Sequence, residues 1–318
     1  MDSFPQCAAK VCRKSVPQKR AALEREGLQV GNAMTLATGT SKAAEPTKLQ
    51  WDPDSIPPFP VIALKALKLM SGTDTSLLEL CNLIRSDLAF STAILRIANS
   101  PLVAFPKNVT SILQASMLLG FQRLRSVVIT VGLKAYLKNS FTPQMRLCWR
   151  HSVACAILAE RSAEWSFLDQ HFAYTAGILH DIGRVALATI MPAEYARVIE
   201  RGADQPQDLL QSERELCGID HCQAGRSLVT VWNLPDAFLA ITAHHHDLGA
   251  PTPGVASLIP PSCELADALG FAVIPCRSQR SYAGILAGFP EPTRSRFPAN
   301  AKELASEIAS QIKVIESA

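Results

Sequence analysis

The sequence contains no Cys-x-x-Cys pair, although it carries nine cysteines, at positions 7, 12, 81, 148, 155, 217, 222, 263 and 276. That absence excludes zinc-ribbon and thioredoxin-like readings, and the odd, scattered set fits reduced thiols in a cytoplasmic protein. No apolar run approaches the roughly 18 residues needed to span a bilayer, and no secretory hydrophobic segment stands at the N-terminus. A soluble, cytoplasmic protein with no membrane partner is therefore expected. Charge is scarce as well. With 19% charged residues and a formal net charge of +3, composition alone makes no case for a nucleic-acid partner.

The positive charge is unevenly placed. Residues 1–50 hold eight Lys/Arg against four Asp/Glu, so the rest of the chain is close to neutral. The cluster Lys10, Arg13, Lys14, Lys19 and Arg20 lies in a segment with little periodicity, which reads as a flexible, solvated arm over residues 1–52. Strand alternation long enough to build a sheet is missing, and no internal repeat is evident.

Hydrophobic residues make up 48% of the chain, enough for a substantial core, and from about residue 60 their spacing is helical. Leu77, Leu80, Cys81 and Ile84 follow the i, i+3, i+4, i+7 rule, with Thr75 as the expected N-cap. Ile112, Ala115, Ser116 and Leu119 repeat the pattern, as do Leu124, Val127, Val128 and Val131. Further helices are predicted over 146–161, 172–180, 208–216 and 263–269, with Asp220 and Asp236 capping the helices that carry His221 and His244-His245. Leu304, Ile308, Ile312 and Ile315 place an apolar stripe on a surface helix over 299–317. The fold class is all-α.

The chain has seven histidines, and five fall where helices from different parts of the sequence could bring them together: His151, His180, His221, His244 and His245. Asp181 adjoins His180, and Asp267 follows in a short helix. Imidazole nitrogen with carboxylate oxygen suits Fe, Mn, Zn or Mg, and such a cation polarises phosphoryl oxygen and acidifies bound water. A buried His-Asp pair can equally be a hydrogen-bonded core pair, and histidines at a helix C-terminus can simply favour the dipole. His171 and His246 fall outside the pattern and are expected at the surface.

Ile56-Pro-Pro-Phe-Pro60, the block from Arg85 to Ser100 ending Leu-Arg-Ile-Ala-Asn-Ser, and the block from Ser111 to Arg125 occur in order. They are followed by Trp149-Arg-His-Ser152, Ala176-Gly-Ile-Leu-His-Asp-Ile-Gly183, Gly218-Ile-Asp-His221, Trp232-Asn-Leu-Pro235 and His244-His245. Together they resemble the HDOD domain (HD-related output domain) of bacterial signal-transduction proteins, over about residues 53–250. The resemblance implies a two-lobed helical fold: an N-terminal lobe over 53–140, an HD-like lobe over 141–270, and a tail over 271–318 bearing the surface helix. It also implies His151, His180, Asp181 and Asp267 as the ligands of the HD pattern. His221 and His244 match additional ligand positions of the related HD-GYP phosphodiesterases. The Asp-Gly-x-Gly-Tyr-Pro segment of that group has no counterpart after His246.

Two functions follow as expectations. The first is a regulatory module that relays a signal through a protein partner, without hydrolytic activity. The alternative is a metal-dependent phosphohydrolase acting on a nucleotide or other phosphoester. Nucleic-acid binding through the basic arm is the weakest reading.

Overall fold

Pro60 ends an extended, proline-rich entry and its carbonyl opens helix α1 (Val61–Ser71). Several of the helices that follow begin where a side-chain oxygen meets free backbone N–H groups. Asp87 caps α3 (Leu88–Ala98) by accepting from the Phe90 amide at 2.8 Å, and Thr142 caps α5 (Pro143–Trp165), whose first residue is a proline. Asp169 caps α6 (Gln170–Leu179), and Asp220 caps α10 (His221–Val231) through the Gln223 amide at 2.9 Å.

The computed structural model describes residues 51–71, 76–100, 103, 108–138, 142–204, 209–246, 254–274 and 280–317. All of them belong to one compact unit, Lys48–Ala318. The basic arm and Thr75 lie outside the described residues; Ser76 stands at the N-cap position of α2 (Leu77–Arg85). The remaining long elements are α4 (Ile112–Lys138), α7 (Ile182–Ile190), α8 (Pro192–Asp204), α9 (Leu209–Cys217), α11 (Ala237–His244) and α12 (Ile259–Ala266). Two short helices, α13 (Tyr282–Leu286) and α14 (Thr293–Arg296), precede α15 (Ala301–Ser317). There is no strand among the described residues, and none of their helices is long and apolar enough to cross a membrane.

Two local expectations are corrected. Asp236 makes no side-chain cap bond because its own backbone is already helical. The helix expected over 263–269 begins earlier, at Ile259, and its end widens into a π-turn over Asp267–Phe271. Helix α4 is bent at Gly120, whose φ of 69° is a left-handed value that a side chain would strain.

Helix α5 is the spine, buried along most of its length and packed by α6, α7, α12 and α15. Gly177 of α6 lies so close to Ala156 of α5 that a Cβ would collide with its backbone. Gly183 does the same service between α7 and α10, where a Cβ would strike the His221 carbonyl oxygen. These two approaches pull three histidine-bearing elements toward one point. On another side, Phe59 packs on Trp232 with ring centroids 4.8 Å apart, and Trp232 Nε1 donates to the Pro57 carbonyl at 3.3 Å. The proline-rich entry and the Trp-Asn-Leu-Pro block, far apart in sequence, thus meet directly. Helix α15 buries Leu304, Ile308, Ile312 and Ile315, and its terminal carbonyls at Ile315 and Glu316 accept from Lys134 Nζ of α4 at 3.2 and 2.9 Å.

Candidate metal centre

Asp181 sits at the start of α7 with 0% exposure, and its two oxygens face different groups. Oδ1 lies 3.0 Å from His245 Nε2 and 3.2 Å from His221 Nε2. Oδ2 lies 3.4 Å from His151 Nε2, 3.7 Å from His180 Nε2 and 2.7 Å from Arg184 Nε. One carboxylate therefore joins two sets of imidazoles.

The rings are held from behind. His180 Nδ1 donates to the Gly177 carbonyl at 2.7 Å, and His245 Nδ1 faces the Ile241 and Thr242 carbonyls at 3.3 and 3.2 Å. His221 Nδ1 is 2.6 Å from Glu213 Oε2, which also accepts the His221 backbone N–H at 2.8 Å. His151 Nδ1 faces Asp267 Oδ1 at 3.1 Å. A neutral ring whose Nδ1 proton is so engaged presents an unprotonated Nε2, and Nε2 is the atom aimed at Asp181.

Lone pairs converging in this way repel unless a positive charge lies among them. His246 Nε2 adds a fourth donor, 3.0 Å from His221 Nε2, and His221 and His245 present their Nε2 atoms 3.2 Å apart. Two nitrogens on one first-row cation, each about 2.0–2.1 Å from it, stand about 2.9 Å apart at right angles and about 3.4 Å apart at the tetrahedral angle. The observed spacings fall inside that span. His180 Nε2 is buried without a hydrogen-bond partner, and a nitrogen so placed fits the role of a metal ligand. The His, Asp and Cys groups gathered here could hold a metal.

Electrostatics show where positive charge settles in the cluster. Burial opposes charge on His221, yet the Glu213 carboxylate holds its pKa well above the ordinary value. Burial likewise opposes charge on His151, and Asp267 more than offsets it, so that pKa is raised. Burial pushes His180 down to about 3 and lowers His245. Burial works against the Asp181 carboxylate, but Arg184 and the surrounding imidazoles keep it ionised well below its usual range. Asp181 and Glu213 are both fully buried, and Arg184 is buried beside them. Two buried carboxylates and one guanidinium leave negative charge that protons on imidazole, or a cation, must balance.

Most of the expected residues come together: His151, His180, Asp181, His221 and His245. Of the seven expected ligands, His244 and Asp267 do not take the expected place. His244 is exposed, because α11 buries Phe238, Ile241 and Thr242, and the next position in that phase is residue 245. His246, expected at the surface, is half-buried and inside the cluster. His171 is also half-buried, 3.7 Å from Glu160. Asp267, 32% exposed, stands behind His151 and not beside its Nε2. Sequence reasoning missed Glu213, Arg184 and Cys263. Glu213 could have been found, since it falls in phase with Leu209 and Leu216 on α9, a carboxylate in an apolar stripe.

Comparison with known proteins agrees with this architecture. A solved HDOD domain protein of unknown function from Geobacter sulfurreducens superposes with a TM-score of 0.66 at 24% identity, covering 83% of this chain and 92% of that one. A proposed phosphohydrolase from Shewanella amazonensis SB2B gives 0.62 at 22% identity, covering 83% and 93%. An uncharacterized protein of Treponema pallidum (strain Nichols) is 24% identical over 200 residues, which is 61% of this chain and only 38% of that relative. The model of the HDOD domain family matches residues 56–248, more than half of the sequence, and the chain belongs to that family.

Proposed function

We propose that this chain is a regulatory HDOD module that passes a signal through a protein partner, with the His/Asp cluster serving as a closed metal centre that holds the fold. Enclosure of the cluster carries this reading. His180, Asp181 and His221 are 0% exposed, and His151 and His245 no more than 5%. Structural metal sites are closed by protein ligands, whereas catalytic sites keep one position open to substrate. Helix α4 also leaves Leu113 and Met117 exposed one turn apart, an apolar face of the kind a protein partner covers.

A cation here would be held by Asp181 Oδ1 with His221, His245 and His246, and by Asp181 Oδ2 with His151 and His180; bound, it would supply Lewis acidity and an acidified water. The chain's own contribution is orientation. Glu213, Asp267 and the carbonyls of Gly177 and Ile241 fix which ring nitrogen faces inward.

A second reading, a phosphohydrolase of nucleotides or other phosphoesters, has one observation in its favour. Asp267 is 32% exposed and His246 half-buried, so the centre is least enclosed at those two positions. The deciding experiment is elemental analysis of the purified full chain together with a phosphoester panel, run on wild type and His180→Ala. Bound metal without turnover supports the regulatory module. Metal-dependent turnover that His180→Ala abolishes would establish the hydrolase instead.

A further inference from the structure

Cys263 lies on α12, wholly inside the protein, with its Sγ 3.5 Å from His151 Nε2. The sulfur, His151 and His180 each offer one atom within 4.8 Å of the others, and all three residues are buried. His180 Nε2, aimed into this group, has no hydrogen-bond partner. We propose that Cys263 is a thiolate ligand, so that the His151/His180 side of Asp181 is a zinc-selective position.

The argument rests on the metal-centre reading above and sharpens it with spacing. A sulfur about 2.3 Å and an imidazole nitrogen about 2.0–2.1 Å from one cation stand about 3.5 Å apart at the tetrahedral angle and about 3.1 Å apart at right angles. The 3.5 Å between Cys263 and His151 matches the tetrahedral value. The 3.4 Å from His151 Nε2 to Asp181 Oδ2 agrees, and the 3.7 Å from His180 lies just beyond it. Across the carboxylate, the nitrogen and oxygen spacings of 3.0–3.2 Å are shorter, and the Cys222 sulfur lies within 4.8 Å of the His221, His245 and His246 nitrogens. A tetrahedral set with one soft sulfur selects zinc, whereas manganese favours nitrogen and oxygen donors. The two faces of Asp181 therefore differ in donor spacing. Binding is a proton-for-metal exchange without redox: the thiol proton leaves to solvent as the sulfur–metal bond forms.

The test uses the full chain loaded with cobalt(II) as a zinc probe, and with zinc and manganese separately. Wild type should show a near-ultraviolet sulfur-to-cobalt charge-transfer band, and X-ray absorption of the zinc form should show one sulfur at about 2.3 Å. Cys263→Ser should lose the band and bind zinc about tenfold more weakly or worse, while manganese affinity holds. Cys222→Ser, which alters the cysteine near the other histidines, should keep the band. Metal bound by wild type with no sulfur signal, or a band that survives Cys263→Ser, overturns the thiolate ligand and leaves the metal centre standing. Failure of wild type to bind cobalt, zinc or manganese overturns both. The wild-type spectra do not depend on the variants folding.

Discussion

Trp232 and Asp181 lie at the same depth, 1% and 0% exposed, yet they are held by opposite means. Around Trp232 the contacts are shape: Phe59 and Tyr136 rings each 4.8 Å away, and a single donated hydrogen bond. Around Asp181 they are charge and direction: a guanidinium and four imidazoles. Apolar packing tolerates small adjustments, because each contact is weak and the sum is spread over many atoms. A buried polar centre does not, because every unpaired atom pays the full cost of leaving water.

The comparison breaks most visibly at its two centres. Asp181→Ala leaves Arg184 buried without its carboxylate and should cost about 3–5 kcal/mol. Trp232→Ala removes a large fully buried ring and should cost a similar amount, about 3–5 kcal/mol. The two differ in how metal responds. Zinc or manganese should raise the midpoint of thermal unfolding in Trp232→Ala as in wild type, and should do nothing for Asp181→Ala. Equal responses in denaturation runs with and without metal would show that the centre binds no ion through Asp181.

Gly183→Ala comes next, since it pushes α7 from α10 without touching a charged group. Overpacking of this kind costs about 1–3 kcal/mol, and it should weaken metal binding too, because His221 moves away from Asp181. A stability loss with unchanged metal affinity in titration calorimetry would mean that the close approach serves packing alone. Glu213→Gln keeps the shape behind His221 and removes the charge, so metal affinity should fall about 10–100-fold. If affinity is unchanged, Glu213 is not orienting the ring. The smallest effect belongs to Asp220→Ala, which removes the α10 cap and should cost about 1 kcal/mol in chemical denaturation. Its ion pair with Arg214, half-exposed, adds little.

The helices were legible in the residues because periodicity and caps are local. The stripe at Leu304, Ile308, Ile312 and Ile315 is buried as its spacing required, and Asp220 takes its cap. His180, Asp181, His151 and His221 could be picked out as candidates, since histidine beside carboxylate in apolar surroundings demands a partner. The inward choice among His244, His245 and His246 was not read correctly, although the burial phase of Phe238, Ile241 and Thr242 on α11 held the answer.

By itself, the order of residues determined an all-helical chain of the HDOD pattern with a set of chemically capable side chains. Only the tertiary structure decided that Glu213 stands behind His221, that Arg184 meets Asp181, that Asp267 backs His151, and that Cys263 faces its Nε2. Spacing along a chain sets which face of a helix a residue occupies. Which faces meet depends on how closely two helices can pack, and here that is settled by the missing side chains of Gly177 and Gly183.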